Sequence, residues 1–153
     1  MTISEAKKFG RDKTLKATGV ILAILILLFL LGETRGDFAN GILFFQETIL
    51  NIHTLIILTI LFGLTYFFAG TAGGEVIIEK RNILLTSIKY VIIISVAIST
   101  YTILIGVFRG TGFSQIGGVK KIAGYFISMF LRTAFCLLIA WLWATNKMKY
   151  ISS

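Results

Sequence analysis

The chain has 153 residues, 56% of them hydrophobic and 14% charged, with a net charge of +8, one cysteine and no proline. A soluble domain is about 45–50% apolar and about 25% charged, so this chain lacks the polar residues to coat a water-facing surface. The same figures exclude disordered, collagen-like and disulfide-stapled classes and point to an all-α integral membrane protein.

Residues 1–16 form a basic segment carrying Lys7, Lys8, Arg11, Lys13 and Lys16. It reads as an orientation signal that can also lie as a helix on anionic headgroups, at about 1 kcal/mol per lysine. The apolar run 17–32 that follows reaches or exceeds the ~7–15 residues of a signal-peptide core and has no small-residue cleavage pattern behind it, so it is expected to stay as a span. Further runs cover about 49–70, 88–108 and 122–145. Each is near the ~20 residues that take a helix across the hydrocarbon. None alternates as barrel strands do, and backbone in lipid must satisfy its own hydrogen bonds, so the runs predict helices.

The expected fold is one membrane domain over 1–153, with four transmembrane helices in an up-down bundle. With four spans, the N terminus, the 71–87 connection and the C terminus share a side. That side holds nine lysines and arginines against four (Arg35, Arg109, Lys120 and Lys121) on the other. The positive-inside rule then places both termini in the cytoplasm. Trp141 and Trp143 fall where an inner aromatic belt would sit. The expected setting is a cell membrane crossed several times, with a bacterial inner membrane as the host bilayer.

In the outer connection 33–48, Asp37 is a candidate helix cap with Phe38, Ile42, Phe45 and Ile49 at helical spacing behind it. The charge is sorted along the chain. All seven acids lie in residues 1–79, whereas residues 80–153 hold nine bases and no acid. Such a half calls for anionic neighbours, either lipid headgroups or the acids of a partner.

Any chemistry must come from the few polar residues within the spans. Arg132 is central in the fourth run, where a charge facing lipid costs at least ~2.5–3.5 kcal/mol. Its face at four-residue spacing is Gly124, Ser128, Cys136 and Ala140, all small, which reads as a helix-packing seam with a cation set in it. The preferred counter-charge is Glu47, at the outer start of the second span. Snorkelling to outer water or phosphate and lining a polar path are the alternatives.

Glu47, Asn51, Thr54 and Thr65 share a face of the second span, interrupted by Leu58 and Leu61. Ser95, Ser99, Thr102 and Gly106 share a face of the third. These stripes read as helix packing in preference to a continuous polar path. His53 is the only histidine and has no acid or thiol at ligand spacing, so it reads as a buried, hydrogen-bonded residue, and no metal or cofactor is expected. Cys136 reads as a small packing residue. The glycine-rich stretch from Arg109 to Lys121 matches no phosphate-binding fingerprint. It reads as a turn whose Arg109, Lys120 and Lys121 can also meet an anionic headgroup.

No carboxylate dyad, metal motif or nucleophile–base pair stands out, so catalysis is not expected. The expected function is a small non-catalytic subunit that forms a homo-oligomer or a larger membrane complex and recruits an acidic protein at its basic cytoplasmic face. Lipid, anionic lipid included, is the other expected partner, and nucleic acid is not one. The alternative is an oligomeric ion channel or membrane-permeabilising effector, with a small membrane enzyme ranked below both.

Overall fold

The computed structural model describes residues 1–34, 51–108 and 119–152. These form four helices: α1 (Ile3–Thr34), α2 (Ile52–Ile77), α3 (Ile83–Phe108) and α4 (Val119–Ser152). No strand occurs among the described residues. All four helices are long and apolar enough to cross a membrane. At 1.5 Å per residue the 32 residues of α1 extend about 48 Å, well beyond the ~30 Å of a hydrocarbon core.

The helix starts are set by short polar side chains. Thr2 and Glu5 form a capping box: the Thr2 N–H donates to Glu5 Oε2 at 2.7 Å, and the Glu5 N–H donates to Thr2 Oγ1 at 3.3 Å. Asn51 caps α2 by accepting from the His53 N–H at 3.0 Å, and Asn82 caps α3 by accepting from the Leu84 N–H at 2.9 Å. Between α2 and α3 only residues 78–82 turn the chain. Lys80 takes the left-handed conformation there, with φ 51°, a region that non-glycine residues seldom adopt. The Arg81 N–H then donates back to the Glu75 carbonyl at 3.0 Å.

Two boundaries differ from the sequence expectation. The basic segment 1–16 and the first span are one continuous helix, and most of the expected 71–87 connection is helical. The reason is a backbone crossing. A Cβ on Gly10 would sit 2.5 Å from the Ala69 carbonyl oxygen and 2.8 Å from the Gly73 Cα; one on Gly73 would sit 2.5 Å from the Ala6 carbonyl oxygen. Ala6–Gly10 on α1 and Ala69–Gly73 on α2 are thus matched small pairs at four-residue spacing, which let two helices meet backbone to backbone. The residues buried on α1 continue that face: Ala6, Gly10, Thr14, Ala17 and Thr18. A polar segment that looked like a surface anchor carries a concealed small-residue stripe.

α1 contacts α2 and α4, and α3 contacts α4 and α2. Partner numbers run in opposite directions along α3 and α4. Ser87 Oγ lies 3.1 Å from Thr145 Oγ1, whereas Thr100 and Leu104 share a surface groove with Ala123 and Ile127. The core is displaced towards one end. Its clusters centre on Tyr90, Ile94 and Trp141, and on Ala17, Ala140 and Met148. No described side chain in 19–32, 51–60, 100–105 or 120–136 is buried. The described buried residues thus gather towards the end that holds the basic segment 1–16, here called the basic end, and away from the far end.

Gly10→Leu or Gly73→Leu should destabilise the protein by at least the ~1–3 kcal/mol of an overpacked core, read as a lower thermal midpoint in detergent. Gly63→Ala is the matched control. Nothing lies within 4 Å of its Cβ position, and the change should leave the midpoint unchanged or raise stability by up to about 1 kcal/mol.

Candidate functional site

Two polar features stand out, one at each end of the packed core. The first is a knot around Glu75, in the last turns of α2. Glu75 is 8% exposed. Its Oε1 accepts from Tyr90 Oη at 2.8 Å and from Lys89 Nζ at 3.1 Å, and Arg81 Nη1 lies 3.7 Å away. Arg81 also pairs with Glu79 at 2.7 Å. The Tyr90 ring stacks on Phe68 at 5.2 Å and leans on Trp141 at 5.7 Å, so the hydroxyl that holds Glu75 is fixed from behind by an aromatic trio.

Sequence reasoning did not single out Glu75, because it placed the residue in a loop. Extending the second helix past its glycines would have brought Glu75 into an apolar helix end, where a lone carboxylate needs donors. Trp141 differs from its expected place in an interfacial belt. It lies fully buried on the α3-facing side of α4. Trp143 is exposed, with Lys147 Nζ 4.2 Å from its ring centre. On α1, Arg11 lies over Tyr66 at 4.4 Å and donates to its hydroxyl at 3.3 Å. Its Nε closes over Gly70, where a Cβ would meet it at 2.7 Å.

The second feature is a cleft of about 360 Å³ bounded by all four helices. α1 contributes Thr18 to Leu25, α2 contributes Thr54 to Leu61, α3 contributes Ile98 and Thr102, and α4 contributes Met129 to Ala140. The walls are almost wholly apolar, and Arg132 is the only charged residue among them. Arg132 is exposed, and no ion pair among the described residues includes it. It also borders a groove of about 600 Å³ with Val91, Phe135 and Leu138 on the other side of α4.

The remaining sequence candidates distribute as follows. Glu47, and with it the Glu47–Arg132 pair, lies outside the described residues, as do Arg109 and the Asp37 cap. Asn51 is a helix cap, His53 follows it in the first turn, and Thr54 lines the cleft. The His53 Nδ1 and the fully buried Thr65 Oγ1 have no hydrogen-bond partner. Ser95 and Ser99 are fully buried, again with unpartnered hydroxyls, while Thr102 donates to the Ile98 carbonyl at 2.9 Å. Of the stripe on α4, Ala140 is buried against the α1 side of the core, Ser128 and Cys136 are half-buried, and Gly124 is exposed with nothing within 4 Å of its Cβ position. Lys120 and Lys121 are exposed at the far end.

No group of three or more metal-ligating side chains occurs among the described residues. Compared with known protein families, curated proteins and solved structures, the chain gives no match.

Glu75→Ala should cost about 1–3 kcal/mol, because it leaves the buried Tyr90 hydroxyl without its acceptor. Lys89→Ala should cost under about 1 kcal/mol, since the Lys89 side chain is 51% exposed and water screens its pairing with Glu75. Denaturant unfolding of the two variants side by side checks the order.

Proposed function

We propose that the chain is a non-catalytic membrane subunit, an up-down bundle with both termini in the cytoplasm, which assembles with copies of itself or with other chains and binds an acidic partner through its basic end. The observation that carries this reading is the state of the acids at that end. Glu5 is engaged in the α1 cap, Asp12 with Lys16 at 2.9 Å, Glu75 with Lys89 and Arg81, and Glu79 with Arg81. Among the described residues nothing anionic remains for Lys7, Lys8, Lys13 or Lys80. Excess cations flanking a hydrophobic bundle favour the cytoplasmic side and attract anionic lipid or an acidic protein surface.

Assembly has separate support. Only 6% of the most apolar stretch of α4 is buried within the chain, and this stretch includes the exposed Arg132. A mid-span guanidinium facing plain lipid is costly, so a neighbour or ligand beside it is favoured. The apolar walls of the cleft, Leu58 and Leu61 among them, weigh against a water-filled path through one chain. A channel would have to form between copies.

Native mass measurement of the complex extracted with its surrounding membrane tests the reading. Masses above the 16.9 kDa of one chain are expected. The combined Lys7→Gln, Lys8→Gln and Lys13→Gln variant should lose an acidic protein partner while keeping its thermal midpoint within a degree or two. A lone chain at every protein concentration, in native lipid, would overturn the proposal.

A further inference from the structure

The cleft has a size, a polarity and a single charge that together define a ligand class. We propose that it binds a single-chain fatty carboxylate, with the headgroup on Arg132 and the alkyl chain running inward along α4 towards Ala140. This goes beyond assembly and holds for one chain by itself.

The volume comes first. About 360 Å³ is near the lower limit for small-molecule sites and equals the liquid volume of about a dozen waters, which suits one alkyl chain of about twelve carbons and is too small for a two-chain lipid. Length agrees. Arg132 and Ala140 are eight residues apart, about 12 Å along the helix, comparable to such a chain with modest bending.

Polarity comes second. Nine of the sixteen lining residues are leucine, isoleucine or methionine, supplied from all four helices, and four threonines interrupt them. A hydrocarbon chain lying in an apolar cleft of this kind gains dispersion contacts along its whole length. Charge comes third. Arg132 is the only ionised group on the wall and has no acid partner among the described residues. Thr133 lines the cleft beside it and adds a hydroxyl donor at the same depth. A guanidinium binds a carboxylate through paired N–H donors, which fixes orientation as well as affinity. A glycerophospholipid fits less well, since its phosphate sits at the interface whereas Arg132 is twelve residues, about 18 Å, along α4 from Lys120.

The only cysteine in the chain, Cys136, lines the cleft one helical turn from Arg132 and serves as a native reporter. The experiment uses the full chain in nanodiscs of phosphatidylcholine and measures the rate at which a small maleimide alkylates Cys136. Dodecanoate should slow this alkylation at least several-fold and saturably. Dodecanol and added phosphatidylglycerol should not. Arg132→Leu should weaken protection about 10- to 100-fold, the loss of one charged hydrogen-bonding group, and Arg132→Lys should restore part of it. Equal protection by dodecanol would overturn the headgroup assignment. Protection by phosphatidylglycerol alone would overturn the single-chain ligand, and no protection by dodecanoate would overturn the site. The wild-type measurements decide the matter even if Arg132→Leu fails to fold.

Discussion

The close approach of Gly10 and Gly73 is the constraint on which the rest of the arrangement depends. Between helices in lipid the hydrophobic effect adds little, because lipid tails are as apolar as leucine, so contact has to come from close packing. Two glycines and two alanines bring the backbones of α1 and α2 together at the basic end. That contact holds the lysine-rich half of α1 against the last turns of α2 and leaves its lysines outward. It also sets Arg11 over Tyr66 and Gly70, and presents Ala6 and Ala17 to Ala144 and Met148 of α4. A side chain at either glycine would push α1 away and expose this whole face.

The polar knot follows from the same end of the fold. The turn over residues 78–82 is short enough to return Arg81 over Glu75, and Lys80 accepts a left-handed conformation to do it. Glu75 lies near the end of α2, where its two cationic partners stay half exposed while its own carboxylate is enclosed. The aromatic trio of Phe68, Tyr90 and Trp141 links this knot to the core. Charge satisfaction and packing therefore reinforce each other at the basic end. At the far end neither device is present among the described residues.

How much of this could be read from the sequence depends on the kind of signal. The four spans were legible because composition over ~20 residues carries the signal and no partner is needed to interpret it. The helical start of α1 was less so. Its lysines dominate any reading of residues 1–16, while the buried stripe Ala6, Gly10, Thr14, Ala17 and Thr18 consists of residues with almost no hydropathy of their own. Small residues at four-residue spacing occur on both α1 and α4, and sequence alone could not tell which stripe would find a match. The α4 stripe continues through Ala140, Ala144 and Met148, and only that inner part meets α1. The connection expected over 71–87 is mostly helical instead, because helix-to-helix contact outweighs propensity at Gly73. Arg132 was identified as unusual from its position. That it would stand beside an apolar cleft required the inward ends of four helices to be packed first.

The uneven packing gives the two halves of the molecule different mechanical characters. Among the described residues the core lies towards one end, and the cleft begins at its edge, where the buried Leu61, Ile98, Leu137 and Ala140 form part of the wall. In the far-end halves of α1 and α4 no described side chain is buried. The inner stripe of α4 is committed to α1, and the outer stripe, with Arg132 in it, is free to meet something else. That division explains why a cation can be kept within a span at tolerable cost. Neither core cluster includes Arg132, so the packing of the basic end does not depend on its counter-charge.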